Sequence, residues 1–372
     1  MELRQRIAMN YQSWQGYPHP RYGYGAMWHN FVRHVPNDIT LHEHADVMVN
    51  MLQPYQIKGF YKGQHRTCFT MWESTELDPR GALWLDFYDQ ILVPCDHNLE
   101  LFSRYHKNVK KVPLGVDHKV WKATSRPENK RFRFHAGGSQ WLRKGLDIVL
   151  EAFKRADLDA ELHLKPNPEA HGVPPLTLPD NVFMHRQWFT EEETVKFFND
   201  ADCYIAATRG EGFGLMPLQA MAMGIPTIIN ASSGQAEFAD LASIVIPHGQ
   251  SKSIYGGLWD ESNPDDLADA MRTMFADYEN HKTSAKLRVR KTKAWSWDNA
   301  ARQLADTLLI GNLLENPEWE PSILRLSMRV KRKVSGSING KEFTYLPGQE
   351  YVVPENIYQV VSDSGNLIGG PL

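Results

Sequence analysis

The sequence has few cysteines and no long apolar segment. Cys68, Cys95 and Cys203 are far apart and form no CxxC pair, so they can build neither a disulfide framework nor a zinc cluster. The N-terminus, MELRQRIAMNYQSW, lacks the apolar core of a signal peptide, and the longest apolar run, around 215–229, is too short and interrupted to span a bilayer. We therefore expect a soluble protein of a reducing, cytoplasmic compartment.

The chain also lacks a large excess of charge of either sign. Lys and Arg number 41, Asp and Glu number 44, and the net charge is −3, which argues against a globally basic nucleic-acid-binding protein. Hydrophobic residues make up 42% and charged residues 23%, as in folded rather than disordered chains. A length of 372 residues exceeds what one hydrophobic core supports and indicates two or three domains.

Strand-like and helix-like segments alternate along most of the chain. Predicted strands lie at 6–10, 45–52, 67–71, 90–94, 132–136, 161–165, 182–185, 203–206 and 226–230, and predicted helices at 26–35, 97–105, 145–155, 191–199 and 216–223. This alternation predicts an α/β fold with two doubly wound, Rossmann-like domains and a cleft at the carboxyl ends of their strands. The proline and glycine of KVPLGVD indicate a boundary, giving domains 1–117 and 118–294. A β-rich tail is expected at 316–372, with an Asn-Gly hairpin turn at 339–340.

The segment RGEGFGLMPLQAMAMGIP at 209–226 places a glycine-rich turn between a predicted strand and an apolar helix. Backbone N–H groups at such a helix start have no intrahelical acceptor and can bind a phosphate, and Glu211 adds an acceptor suited to sugar hydroxyls. The candidate donors are the N–H groups of Gly212, Phe213, Gly214 and Leu215. From this motif alone, a plain strand-to-helix turn with Phe213 in the core is an equal alternative.

The same segment resembles the hallmark of the retaining nucleotide-sugar glycosyltransferases of family 4, in which two glutamates are separated by seven residues. Here Gln219 stands in place of the second glutamate, after Glu211. Other landmarks of the family follow in order: PLGVD at 113–117, RKGLDIVLEAF at 143–153, FFNDADCYIAATRGEGFG at 197–214 and WSW at 295–297. The resemblance covers roughly 5–310, strongly in the second domain and weakly in the first. It implies the GT-B fold, with a crossover helix at 295–315 that returns to the first domain.

The resemblance also implies roles for particular residues. Arg143 and Lys144 would neutralise the donor diphosphate together with the amides at 212–215, Glu211 would hold a hydroxyl of the donor sugar, and Gln219 would bind the nucleotide ribose. Glu211, Lys144 and Arg143 are therefore the catalytic candidates. The non-functional alternative is that Arg143 and Lys144 are solvated surface charges, although positive charge is disfavoured at the start of a helix. Since these cations supply the positive field, we expect no metal ion, and the sugar nucleotide serves as co-substrate.

Four further residues carry expectations. The family often has arginine where this sequence has Ser139, and Arg143 is expected to take over that role. Gly23 and Gly25 precede a predicted helix, where the family brings a glycine loop to the donor phosphate; a simple turn is the alternative. Glu73, in TMWESTELD at 70–78, resembles an acceptor-side glutamate, and the alternative is a solvated acid at a helix start.

Some motifs are expected to be decoys. His42, Glu43 and His44 have no third ligand nearby in sequence, and the Asp157 to Asp159 triplet reads as a connecting loop, so neither predicts a metal site. The stretches 282–293 and 325–333 are basic, without an acid; ordinarily they would be solvated faces, and the alternative is docking of DNA or an acidic protein.

The last segment, YLPGQEYVVPENIYQVVSDSGNL, resembles short modules of bacteriophage proteins. It would make the acceptor viral DNA, a virion protein or a host glycan, and place the protein in a host cytoplasm. The leading hypothesis is a glycosyltransferase that moves a sugar from a nucleotide-diphosphate-sugar to an acceptor hydroxyl with retention. The alternatives are a catalytically weak sugar-nucleotide-binding or attachment protein that docks through its β tail, and an epimerase or phosphorylase of the same fold.

Overall fold

Two six-stranded parallel sheets form the frame of the protein. The computed structural model describes residues 5–9, 23–37, 39–41, 47–56, 59–124, 128–166, 177–308, 318–321, 326–338, 341–347, 349–353, 361 and 367–368. The first sheet has the strand order β2-β1-β3-β5-β6-β7 and the second has the order β10-β9-β8-β11-β12-β13. Every pair of neighbouring strands within these two sheets is parallel.

The first sheet is built from short strands of three to five residues each. Its strands are β1 (Gln5–Met9), β2 (Ile39–Leu41), β3 (Val47–Asn50), β5 (His65–Phe69), β6 (Gln90–Val93) and β7 (Val109–Lys111), while β4 (Gly59–Tyr61) lies outside the sheet. Its helices are α1 (Gly23–Arg33), α2 (Pro79–Trp84) and α3 (Asp96–Ser103), with 3-10 turns at Pro54–Gln56 and Leu85–Phe87. The side chains of β3 and β6 are buried throughout.

The second sheet follows the same plan. Its strands are β8 (Phe132–Gly138), β9 (Ala160–Pro166), β10 (Val182–Met184), β11 (Cys203–Ala206), β12 (Thr227–Asn230) and β13 (Ile244–Ile246). Its helices are α4 (Leu146–Ala156), α5 (Glu191–Asn199), α6 (Leu215–Ala222), α7 (Pro264–Ala276) and α8 (Tyr278–Thr292), with a 3-10 segment at Ser233–Leu241. An antiparallel hairpin, β14 (Gly249–Lys252) and β15 (Leu258–Glu261), separates β13 from α7.

After α8 the chain returns to the first sheet. Helix α9 (Trp297–Thr307) begins at Ser296, whose side chain accepts a hydrogen bond from the Asn299 N–H. The ring of Trp297 lies 5.2 Å from that of Phe31 in α1, and the Thr307 carbonyl accepts a hydrogen bond from Gln90 at the start of β6. Helix α9 therefore joins the two halves of the molecule.

The tail packs against the first domain. Its strands are β16 (Trp319–Pro321), β17 (Leu326–Val330), β18 (Val334–Ile338), β19 (Lys341–Tyr345), β20 (Glu350–Val353) and β21 (Leu367–Ile368). Strand β16 pairs with β4, and a small apolar cluster of the tail packs on Leu83 in α2. Strands β18 and β19 pair antiparallel, with Ile338 opposite Lys341; the Asn-Gly turn predicted at 339–340 lies outside the described residues.

The expected α/β fold with Rossmann-like parallel sheets is confirmed. Strand β11 and helix α5 have the predicted bounds, whereas β2, β7 and β13, of three residues each, were missed. The prediction that Gly23 and Gly25 precede a helix is wrong, since α1 begins at Gly23. The cluster at 42–44 lies outside the described residues.

Candidate active site

Two loops at the carboxyl ends of β8 and β11 lie against each other. Gly145, which has a φ of +65°, passes so close to the second loop that an added Cβ would lie 1.9 Å from the Ala207 carbonyl oxygen. The Arg143 carbonyl accepts hydrogen bonds from the Arg209 N–H at 2.7 Å and from the Thr208 hydroxyl at 2.9 Å. Backbone contacts within one domain thus hold the β8–α4 loop in register with the β11–α6 loop.

The two loops bring together a buried group of charges, joined by one acid from the first domain. The Lys144 Nζ lies 2.5 Å from the Glu211 Oε1. The Arg143 Nη1 lies 3.9 Å from the Glu211 Oε2 and 3.8 Å from the Glu73 Oε1. Arg143 and Glu211 side chains are each 8% exposed, Lys144 is 15% exposed and Glu73 is 23% exposed, so the group is screened from bulk water but open on the side of Glu73.

Burial lowers the pKa of Lys144 below its ordinary value, and the positive charge of Arg143 lowers it further, while Glu211 opposes both effects. The path of the lysine depends on Gly138, because a Cβ there would lie 2.4 Å from the Lys144 Cγ. Ser139, at the position where the family often has arginine, is exposed. The buried guanidinium in this loop therefore belongs to Arg143.

The turn before α6 has a left-handed backbone conformation that glycine adopts readily. Gly214 precedes the helix with a φ of +99°, and no side chain of the described residues caps α6, which leaves the first N–H groups of the helix to an external anion. Phe213 is buried and its ring packs on Phe238, so it occupies the core position considered for it. Leu215 and Gln219 are both partly buried, one turn apart on α6.

The first turn of α1 reaches the same cleft. Tyr24, between Gly23 and Gly25, accepts a hydrogen bond from the Met71 N–H at 3.1 Å through its hydroxyl. Met71 in turn presses on Gly212, where an added Cβ would lie 2.4 Å from the Met71 Sδ. The two predicted glycines thus lie beside the cleft within a helix, and the residue between them, which sequence reasoning passed over, makes the contact.

Glu73 lies in the loop between β5 and α2, directly across the gap between the domains. Its carbonyl oxygen accepts a hydrogen bond from the Trp259 Nε1 at 2.9 Å, and an added Cβ on Gly210 would lie 2.1 Å from that same oxygen. The structure therefore brings Glu73 to the charged group and not to the start of a helix.

Sequence reasoning also missed the buried Asn98, on α3. It accepts a hydrogen bond from the Trp72 N–H at 2.6 Å and donates to the Gly212 carbonyl at 3.3 Å. In the sequence, the available signal was an amide on the apolar face of a predicted helix, because a polar group that becomes buried there needs a partner.

The expected decoys lie away from this cleft. Asp157 and Asp159 occupy the loop before β9, at the edge of the sheet opposite the carboxyl ends, and Asp159 pairs with Arg131 at 3.1 Å. Among the described residues there is no group of three or more His, Cys, Asp or Glu that could hold a metal ion. Over the same part of the chain, no helix is long and apolar enough to cross a membrane.

Comparison with known proteins agrees with this geometry. A family model described as "Family 4 Glycosyltransferase in conflict systems" matches residues 99–304, more than half of the chain. A curated relative, D-inositol 3-phosphate glycosyltransferase of Paenarthrobacter aurescens (strain TC1), is 27% identical over 226 residues, which cover 54% of this chain and 52% of the relative. The match thus spans about half the length of that relative.

Solved structures show the same fold. Sucrose-phosphate synthase from Thermosynechococcus elongatus superimposes with a TM-score of 0.55 at 16% identity, covering 70% of this chain and 71% of that one. HepE of Anabaena, solved in complex with UDP and glucose, gives a TM-score of 0.61 at 11% identity, covering 82% of this chain and 99% of that one. The expected GT-B fold is therefore confirmed.

Proposed function

Because the chain belongs to the family 4 glycosyltransferases in conflict systems, we propose that it transfers a sugar from a nucleoside diphosphate sugar to an acceptor hydroxyl, with retention and without a metal ion. The observation that carries this proposal is the buried contact of Lys144 and Arg143 with Glu211 beside the uncapped start of α6. A diphosphate is the ligand chemistry that two adjacent cations and a helix N-terminus suit best.

The donor diphosphate would lie between the cations and the first N–H groups of α6. Arg143, Lys144, Glu73 and Glu211 carry formal charges that sum to zero, so the bound diphosphate adds the negative charge that must be stabilised. As the glycosidic bond breaks, further negative charge develops on the leaving diphosphate, where preorganised cations in a dry site lower the barrier most. Lys144 would then share its N–H donors between the phosphate and Glu211.

Glu211 and Glu73 would contact different substrates. Glu211 would hold a hydroxyl of the donor sugar, and Gln219 the ribose of the nucleotide. Glu73 would face the acceptor, which enters from the first domain and attacks on the face that the diphosphate leaves. UDP-sugars are the first donors to test, since HepE was solved with UDP and glucose, and sugar or inositol phosphates are the first acceptors, given the curated relative.

The test is a screen of UDP-, GDP-, ADP- and TDP-sugars with these acceptors, in EDTA and in magnesium. Nucleotides that bind the folded state raise its melting temperature, with about 2.7 kcal/mol of stabilisation at a hundredfold excess over Kd. We expect one nucleotide family to bind and its sugar to be transferred in EDTA, with the anomeric configuration kept in the product by NMR.

A different result would contradict each part of the proposal. Turnover that needs magnesium would contradict metal independence, and an inverted product would contradict retention. Binding without donor cleavage or transfer would favour the sugar-nucleotide-binding alternative. Absence of both binding and turnover with all four nucleotide families would contradict the donor site.

A further inference from the structure

The β14–β15 hairpin of the second domain is seated on the loop at 72–76 of the first domain. The Thr75 N–H donates to the Leu258 carbonyl at 3.1 Å, and the Leu258 N–H donates to the Thr75 hydroxyl at 2.8 Å. At the tip, Gly257 has a φ of +63°, and an added Cβ would lie 2.6 Å from the Thr75 Oγ1. The hairpin therefore bridges the domains through one backbone hydrogen bond, one hydrogen bond to the Thr75 hydroxyl, and a close approach that requires glycine.

Tyr255 occupies the tip of this hairpin, between the two domains. Its ring centroid lies 5.6 Å from that of Trp72 in the first domain and 5.4 Å from that of Trp259 in the second. Its hydroxyl donates a hydrogen bond to the Gln140 Oε1. Contacts with two aromatic rings restrict the rotamers of the tyrosine, so they hold its hydroxyl oxygen beside Gln140.

Gln140 links Tyr255 to Arg143 in the charged group. The same Oε1 accepts a hydrogen bond from the Arg143 Nε at 2.5 Å, and the Arg143 Nη1 donates to the Gly210 carbonyl at 2.7 Å. Two hydrogen bonds from different nitrogens set both the plane and the direction of a guanidinium group, which has five N–H donors in all.

This anchoring has a chemical consequence. The Arg143 Nη1 stays 3.8 Å from Glu73 and 3.9 Å from Glu211, which is beyond hydrogen-bond distance. A buried guanidinium released from Gln140 would move onto one of these carboxylates to form a charge-assisted hydrogen bond. Its donors would then face an acid of the protein and not an anionic ligand.

We propose that Tyr255 and Gln140 are positioning residues, which hold Arg143 ready for the donor diphosphate when the β14–β15 hairpin is seated on the 72–76 loop. The assignment of the diphosphate to Arg143 rests on the function proposed above, whereas the hydrogen bonds that join Tyr255, Gln140 and Arg143 do not depend on it. The hairpin thereby couples docking of the first domain to the orientation of one cation of the second.

The kinetic test uses Tyr255→Phe, Gln140→Leu and the double variant. Tyr255→Phe keeps the ring contacts and removes only the hydroxyl. We expect kcat to fall about tenfold in each single variant, and the double variant to be no slower than Gln140→Leu, because both changes act through Arg143. Gln140→Glu, which keeps the acceptor for both partners, should retain more activity than Gln140→Leu.

The matched control is Tyr278→Phe, which removes a hydroxyl that donates to Asp202 at 3.0 Å on another part of the second domain. It should leave kcat unchanged. Losses that multiply in the double variant, or a Tyr255→Phe enzyme as active as the wild type, would overturn the positioning role.

A second measurement does not depend on turnover. In ¹⁵N-labelled, ligand-free protein the Arg143 Nε–H signal, assigned by its loss in Arg143→Lys, should shift in Tyr255→Phe and broaden or exchange with water in Gln140→Leu. It should stay in place in Tyr278→Phe. An unchanged signal in both test variants would overturn the inference, whereas a wild-type protein without transferase activity would contradict the proposed function alone.

Discussion

The two sides of the cleft that we propose as the donor side and the acceptor side are built in different ways. On the donor side, Arg143, Lys144 and Glu211 are held by loops of one domain, through the Gly145 approach to Ala207 and hydrogen bonds to the Arg143 carbonyl. On the acceptor side, Glu73 reaches the charged group through contacts that cross the domain gap.

This difference explains why the residues of one side could be predicted from the sequence and those of the other could not. The donor side is formed within one domain and follows contiguous motifs, so its residues are recognisable in the sequence. The acceptor side depends on how two domains meet, through Trp259 and Gly210 opposite Glu73. We expect substitutions on the donor side to affect donor binding and catalysis together, and those on the acceptor side to affect transfer while donor binding persists.

The largest effect is expected for Lys144→Ala. Removing a buried cation that stabilises the leaving diphosphate should lower kcat/KM by about 10²- to 10³-fold. The fold should be preserved, which circular dichroism would check. Lys154→Ala, at an exposed position of α4, is the matched control and should be as active as the wild type. Near-normal turnover of a folded Lys144→Ala enzyme would refute the phosphate role and remove the contrast between the two sides.

Gly145→Ala tests the contact between the two donor-side loops. Because the new Cβ would lie 1.9 Å from the Ala207 carbonyl oxygen at a φ of +65°, we expect the free energy of unfolding to fall by about 2–3 kcal/mol, measured by urea denaturation. In Gly81→Ala the Cβ meets nothing within 4 Å, and alanine favours the helix, so stability should hold or rise. Equal stability of the two variants would contradict a preformed donor side.

Glu73→Gln tests the acceptor side. Losing a charge-assisted hydrogen bond to the acceptor hydroxyl should lower kcat by about 10- to 100-fold, while nucleoside diphosphate affinity, measured by calorimetry, stays close to that of the wild type. Glu76→Gln changes an exposed acid of the same loop and should have no effect. A loss of donor affinity equal to the loss of kcat would place Glu73 on the donor side.

The smallest effect concerns pH. Diphosphate binds the ammonium form of Lys144, so affinity is full below the pKa of this lysine and declines as pH rises through it. Since burial lowers that pKa, the decline should begin below the ordinary lysine value of about 10.4. Titrating nucleotide affinity against pH should show this loss, and Lys144→Arg, which stays charged, should lack it. The same decline in Lys144→Arg would assign the titration to another group.

The sequence predicted local structure best where one segment contains all the information. Helix α5 has its predicted bounds because Thr190 and Glu193 form a capping box at its start. The β14–β15 hairpin was missed although QSKSIYGGLWDE contains a Gly-Gly turn signal, because the residues on either side of it show no clear alternation of polar and apolar side chains. Tyr255 and Gln140 were missed with it, because their meeting joins positions far apart in the chain.

The sequence by itself determined the two parallel sheets, because hydrophobic periodicity is a local property of the chain. It also showed the family, because contiguous motifs such as the one at 209–226 resemble those of its members. Only the tertiary structure decided that Glu73 faces Arg143, that the hairpin closes over the 72–76 loop, and that the tail lies on α2. These contacts join segments that are far apart in the sequence, and they form only when the folded domains pack together. A sequence pattern does not show which distant residues will then lie close to each other.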